Sequence, residues 1–279
     1  MENYSVLMTV YYKEKAQNLE VSMRSIFNQT YPTNDFVLVC DGKLTDELDA
    51  VVNSFKRKYY TQLNIIRLEQ NVGTGNARNI GIKSCKNNLI AVMDSDDYAF
   101  PERCEHQVAC FETDKNLSIL GGQMSEFEGA FTNTVAIKRV PTAIDDIMKY
   151  AKRRDPFNGI TVMFKKDAVI KAGMYPPLTR CEDYYLYAKM LRMGFYGENS
   201  NEIYSACRLD KDTFERRGSI ENLRGFVSVR WKIHKMGFSS FWDFCIPCLA
   251  QVVYTCLPLS AKKFAYQKVI RRERSDGMK

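Results

Sequence analysis

The sequence predicts an α/β fold with a mainly parallel sheet flanked by helices. Two observations carry that prediction. Short apolar runs alternate with stretches whose apolar residues recur at helical spacing, the pattern of strands joined by crossover helices. Of the 279 residues, 45% are hydrophobic and 12% aromatic, with only 15 Gly and 8 Pro, so the chain buries a large core and is not disordered.

Residues 5–11 read as a buried strand. Leu19, Met23, Ile26 and Phe27 then fall at i, i+4, i+7 and i+8 of a helix. A short apolar strand over 36–40 ends at Asp41-Gly42, and Leu44, Leu48, Val51, Val52 and Phe55 repeat the helical stripe. Residues 63–68 supply a third strand and 76–85 a third helix. The strand over 89–93 runs straight into Asp94-Ser95-Asp96-Asp97. Pro101 suits the first position of another helix, whose Cys104, Val108 and Phe111 share a face. The pattern over 118–139 is strand-like and irregular, 159–164 reads as a strand, and 182–193 as a helix closed by Gly194. Residues 1–218 thus form one α/β unit. Residues 219–279 form a C-terminal helical extension: 219–236 is helical, 241–259 strongly apolar, and 262–279 carries seven Lys and Arg against two acids.

Composition excludes several classes. The 40 Lys and Arg against 33 Asp and Glu leave +7, too modest to name a nucleic-acid partner. Nine cysteines without framework spacing point to a reducing cytosolic compartment, and two histidines argue against a His-built zinc centre. The N-terminus lacks the basic region of a secretory signal. Cys245-Ile246-Pro247-Cys248 lacks the βαβ context of a redox motif.

Four places carry chemistry. Three carboxylates within Asp94-Ser95-Asp96-Asp97, at the carboxyl end of a parallel strand, suit a hard divalent cation that leaves room for phosphate oxygens. They also suit a solvated acidic turn before the next helix. Asn71-Val72-Gly73-Thr74-Gly75-Asn76-Ala77-Arg78 opens a helix, where backbone amides favour an anion and Arg78 adds a permanent charge, although Arg78 stands where a dinucleotide fingerprint needs glycine. Asp41-Gly42 offers an acceptor for a nucleobase or ribose, or is a turn. Glu182-Asp183 offers a general base, or acids complementing a helix dipole. All four belong at one edge of the sheet.

In that order, the residues 5–11, Ser25-Ile26-Phe27-Asn28-Gln29-Thr30, Asp41-Gly42, Asn71-x-Gly73 with Arg78, the acidic turn and Glu182-Asp183 resemble the family 2 inverting glycosyltransferases of GT-A fold. Asp41-Gly42-Lys43-Leu44-Thr45 and Arg216-Arg217-Gly218 narrow the likeness to the bacterial exopolysaccharide, amylovoran-type members. The resemblance implies a Rossmann-like sheet and a transfer of hexose or N-acetylhexosamine from a nucleoside diphosphate sugar, UDP-linked, to a glycan or lipid-linked acceptor in capsule or O-antigen synthesis. It implies donor contacts from Thr9, Tyr11, Asp41, Asn71, Gly73, Arg78 and Asp94, with Arg216 or Arg217 neutralising the diphosphate. It places Mn²⁺ or Mg²⁺ on Asp96 and Asp94, and makes Asp183 the base with Glu182 beside it. Thr9, Tyr12 and Cys40 depart from the family's frequent Pro, Asn and second Asp, and Cys207-Arg208-Leu209-Asp210 lacks a His that some members use on the metal. Two competing classes are a nucleotidyl or phosphoryl transferase, and a non-catalytic membrane or nucleic-acid module built on the basic tail. The chain lacks a Walker sequence, and a binding module has no need of Glu182-Asp183. No nucleic acid is expected as a partner. A peripheral position at the cytoplasmic face of the membrane is expected from 241–259, an interfacial segment anchored by Trp242 and Tyr254.

Overall fold

The computed structural model describes residues 1–178, 180–209, 219–258 and 261–262. Strand and helix alternate through β1 (Tyr4–Val10), α1 (Ala16–Phe27), β2 (Asp35–Cys40), α2 (Asp46–Lys58), β3 (Leu63–Arg67), α3 (Thr74–Ser84) and β4 (Leu89–Asp94). The strands β1, β2 and β4 are covered on both faces, so their sequences read as near-continuous apolar runs. These strands are parallel in the order β3-β2-β1-β4. The order turns back at β1, so the crevice beyond the carboxyl ends of β1 and β4 is a ligand position by topology. Thr9 pairs there with Val39 on one side and Asp94 on the other.

Local chemistry explains the helices. Thr45 caps α2 by accepting the Leu48 N–H at 3.3 Å. Acids fill the first turn of α2 and basic residues the last, as the helix dipole favours. The helix α3 lies so close to the sheet that a Cβ at Gly81 would meet Leu7 Cδ1 at 2.2 Å. A larger residue there would lift α3 and displace Arg78 with it.

Beyond β4 the chain runs through β5 (Tyr98–Ala99), α4 (Arg103–Thr113), β6 (Leu117–Phe127), β7 (Thr134–Lys138), α5 (Ile144–Ala151), β8 (Met163–Lys165), α6 (Lys166–Lys171), α7 (Glu182–Arg192) and β9 (Tyr196–Arg208). The sheet becomes mixed. β8 is antiparallel to β4 and β6, β9 runs parallel to β6, and β5 and β7 pair antiparallel with β9 and β6. Two buried clusters cover its faces. Arg103 is buried among them and pins the strands together, Nη2 donating to the Val92 and Val162 carbonyls at 2.8 and 3.2 Å.

Two expectations change. The strand expected over 159–164 divides into a 3-10 turn, Gly159–Thr161, and β8. Thr161 is the cause, because its Oγ1 accepts the Gly122 N–H at 3.0 Å and donates to the Asn158 carbonyl at 2.7 Å. Pro101 lies in the turn before α4, which begins at Arg103. The Pro101 carbonyl accepts the Thr30 N–H at 2.9 Å. The 118–139 segment, expected to be strand-like and irregular, is the pair β6 and β7, with a register shift between Glu126 and Phe127.

Among the described residues, two further helices follow, α8 (Ile220–Lys235) and α9 (Phe241–Cys256). Ser219 caps α8, and Ser240 and Asp243 form a reciprocal capping box on α9. α8 packs on α7 and α9 on α8. Among the described residues, no helix is long and apolar enough to cross a membrane.

Candidate active site

β2 delivers Asp41 to the carboxyl edge of the sheet, where it is buried. Its Oδ1 accepts the Val72 N–H at 2.7 Å, and its Oδ2 accepts the Gly73 N–H at 3.1 Å and Asn71 Nδ2 at 3.0 Å. Three residues of the glycine loop are thus folded around one carboxylate. Gly42 is required beside it: its φ is +88°, and a Cβ would stand 2.9 Å from the Asn71 nitrogen. This clamp sets where α3 starts, and Gly73 is its N-cap residue.

One turn into α3, Arg78 is buried and bridges the two halves of the site. Nη2 donates to Asp94 Oδ1 at 2.7 Å, Nη1 donates to Asp183 Oδ1 at 2.6 Å, and Glu182 Oε1 lies 3.9 Å from Nη1. Burial opposes its charge, but Asp183 and Asp94 more than compensate and hold the guanidinium well above its ordinary pKa. The ring of Tyr175 lies 5.3 Å from it.

The acidic turn is held from outside. Ser22 of α1 donates Oγ to the Asp94 carbonyl at 2.7 Å. Arg208, at the end of β9, donates its N–H to Asp97 Oδ1 at 2.8 Å and its Nε to the Asp96 carbonyl at 3.0 Å. Burial raises the Asp97 pKa well above the carboxylate range, and the charges of Asp96 and Asp94 add to the rise. Asp97 is buried and accepts the Arg208 N–H, which ties the turn to β9. Arg208 was absent from the sequence-derived set, since a partner 111 residues away leaves no local signal.

α7 opens at Cys181, whose φ of 58° is left-handed without being glycine, a strained entry that presents Glu182 and Asp183 side by side. Burial, then the Asp183 charge, push Glu182 up to about 7 against the pull of Arg78. Asp183 Oδ2 faces Gly159, where a Cβ would come to 3.4 Å. Asp155, also missed from sequence, is pushed up to about 7 by burial, with Asp183 adding to the rise while Lys138 pulls it down. Tyr175 and Tyr187 are buried beneath this group, and both are raised by burial.

The structure thus brings Asp41, Asn71, Gly73, Arg78, Asp94, Glu182 and Asp183 to one edge through direct contacts. Thr9 joins them through its register with Asp94. Tyr11 is 39% exposed and edge-on to Tyr12, with ring centroids 5.8 Å apart. Arg216, Arg217 and Asp210 lie outside the described residues, as does most of the basic tail.

A divalent cation fits the donor set. Among the described residues no three His, Cys, Asp or Glu side chains gather as in an all-protein metal site. Mg²⁺ and Mn²⁺ do not need one, since one or two carboxylates suffice when phosphate and water complete the shell. Asp94 and Asp96 are oxygen donors of that kind, and the Asp94 side chain is 37% exposed with its Oδ1 held by Arg78.

The fold is that of the GT-A glycosyltransferases. The model of glycosyl transferase family 2 matches residues 5–170, and the chain belongs to that family. It is 33% identical over 269 residues to the UDP-Gal:alpha-D-GlcNAc-diphosphoundecaprenol beta-1,3-galactosyltransferase of Escherichia coli, covering 96% of this chain and 97% of that one. It is 31% identical over 265 residues to the amylovoran biosynthesis glycosyltransferase AmsE of Erwinia amylovora, covering 95% and 98%. The solved mannosyltransferase PcManGT from Pyrobaculum calidifontis, in complex with GDP-Man and Mn²⁺, superposes with a TM-score of 0.66 at 16% identity, over 96% of this chain and 76% of that chain. The protein is a family 2 glycosyltransferase.

Proposed function

We propose that the protein is a divalent-cation-dependent, inverting glycosyltransferase. It moves a hexose or N-acetylhexosamine from a UDP-sugar to a lipid-linked glycan at the inner face of the membrane, in capsule or O-antigen synthesis. The observation that carries the reading is Arg78, whose single guanidinium binds Asp94 at the donor side and Asp183 at the acceptor side. The E. coli relative's name supports a UDP-sugar donor and a diphosphoundecaprenol acceptor, and the Pyrobaculum structure supports a cation.

In this reading Thr9, Tyr11, Asn71 and Gly73 line the nucleoside end of the donor. Asp41 already accepts from three groups of the loop. A carboxylate has about four acceptor positions, so one remains for a nucleobase or ribose donor. Asp94 and Asp96 hold Mn²⁺ or Mg²⁺, which when bound supplies positive charge and a template at the diphosphate. Arg78 and the amides at the start of α3 add fixed positive potential there, and the family resemblance assigns Arg216 or Arg217 to the same diphosphate. Asp183 accepts the proton of an acceptor hydroxyl, with Glu182 beside it. The hydroxyl oxygen then bonds to the anomeric carbon from the face opposite the diphosphate. The bond from that carbon to the phosphate oxygen breaks, UDP departs, and an α-linked donor yields a β-glycoside.

The test is transfer to a synthetic lipid-diphosphate sugar from a panel of nucleotide sugars, with and without Mn²⁺. Transfer from a UDP-sugar that stops on chelation and restarts with Mn²⁺ is expected. Undiminished turnover in excess chelator would sink the cation, transfer only from non-UDP donors would sink the donor assignment, and a retained α-linkage would sink inversion.

A further inference from the structure

The outer face of α9 reverses the pattern of a water-facing helix. Trp242, Ile246, Leu249 and Val253 fall at i, i+4, i+7 and i+11 and are 69, 48, 66 and 63% exposed, with Phe241 and Val252 also exposed beside them. The polar Asp243 and Gln251 lie on the less exposed side. From Phe244 to Pro258 no charged residue occurs. A contiguous apolar stripe of this kind marks an interaction surface.

Charge says what covers it. Lys152, Arg153 and Arg154 are exposed at the aromatic end of α9, where Arg153 Nε pairs with Asp243 Oδ1 at 2.5 Å. Lys232 and Lys235 are exposed on α8, and Lys235 Nζ stands 5.5 Å over the Trp231 ring. The sequence from 262 to the end adds seven Lys and Arg against two acids. A second copy of the chain would bring these basic rims together, whereas an anionic lipid surface complements them. Sixteen helical residues span about 24 Å, short of the roughly 30 Å hydrocarbon core, so α9 fits along the interface and not across it.

The stripe is also linked, through α8, to the helix that carries Asp183. Tyr184, next to Asp183, donates its hydroxyl to the Ala151 carbonyl at 2.8 Å and lies 5.2 Å from the buried guanidinium of Arg230. Arg230 of α8 donates Nη2 to the Arg153 carbonyl at 2.9 Å, and Arg153 holds α9 through Asp243. We infer that the apolar stripe of α9, with its basic rim, docks the enzyme on anionic membrane, and that the Tyr184–Arg230–Arg153–Asp243 chain couples this docking face to the helix carrying Asp183. The inference rests on the lipid-linked acceptor proposed above.

The test is flotation of the full chain with vesicles of phosphatidylethanolamine and phosphatidylglycerol, against phosphatidylcholine vesicles, at low and high salt. Co-flotation with the anionic vesicles at low salt, released by high salt and alkaline wash, is expected. The double variant Leu249→Glu, Val253→Glu should lower partitioning by at least about tenfold, since each withdraws a large apolar side chain from the interface. Its melting temperature and its transfer to a water-soluble acceptor should stay at wild-type levels, while transfer to a vesicle-embedded acceptor falls by about the same factor. The inference is overturned if wild-type protein never floats, if the variant partitions as wild type does, if alkaline wash fails to strip it, or if sedimentation shows a dimer that the variant dissolves without any flotation. Flotation without sugar transfer would remove the proposed activity and leave docking standing. Transfer to a soluble acceptor by a protein that never floats would do the reverse.

Discussion

Arg78→Met removes a cation that both Asp94 and Asp183 contact. Losing one partner of a buried ion pair costs about 3–5 kcal/mol, because the other partner is left buried and uncompensated. Here the guanidinium side chain is 5% exposed, but Asp183 is 24% and Asp94 37% exposed, so water screens part of the loss. About 2–3 kcal/mol remains, which at roughly 2–4 °C per kcal/mol lowers the melting temperature by about 4–12 °C near neutral pH. The pH dependence is a sharper check. Without Arg78, burial and the Asp183 charge still push Glu182 up, and the downward pull is gone. The native carboxylates then bind protons more tightly than the unfolded ones, so the variant gains stability relative to wild type as pH falls from about 8 to 5. Calorimetric melts across that range measure both effects. Arg78→Lys should recover only part of the loss, since an ammonium lacks the planar fork that reaches two carboxylates. Adding Asp183→Asn to Arg78→Met should restore stability by removing a stranded charge. A variant melting within about 2 °C of wild type at pH 8, less than 1 kcal/mol would give, would refute the account of Arg78 as electrostatic keystone.

Asp183→Asn should lower kcat by about 10²–10⁴, the range of a lost general base, while calorimetric UDP affinity stays near wild type. An equal fall in affinity would place this carboxylate in the donor pocket. Asp96→Ala should abolish the Mn²⁺ stimulation of transfer, a loss of about 10²–10³ in rate, and a titration in which stimulation persists would remove Asp96 from the cation. Asp155 rises from its ordinary 3.8 to about 7 in the fold, so its contribution to stability is full at low pH and fades as pH climbs through about 7. Asp155→Asn should therefore gain on wild type between about pH 4 and 8 in thermal melts, and a constant difference would contradict the shift.

The readability of the sequence followed the burial of its elements. β1, β2 and β4 are covered on both faces, and their apolar runs announced them, with Asp41 and Asp94 visible at their ends. β9 escaped because its first half, Gly197 through Glu202, is polar. The 159–164 segment misled because an apolar run does not disclose that Thr161 closes a turn on Asn158. Asp155 and Arg208 carried no motif, and only their neighbours give them a part at the site.

By itself the sequence determined the α/β class, the parallel first half, the resemblance to a glycosyltransferase family and the residues worth suspecting. Those depend on local periodicity and on short motifs at element ends, which the order of residues records directly. Tertiary structure alone decided the mixed second half of the sheet, the use of Asp41 to fold its own loop, and the sharing of Arg78 between Asp94 and Asp183. It also decided which face of the last helix meets solvent. The physical reason is that a carboxylate's role depends on the charges and amides within a few ångströms. For Asp183 the decisive one lies 105 residues away along the chain.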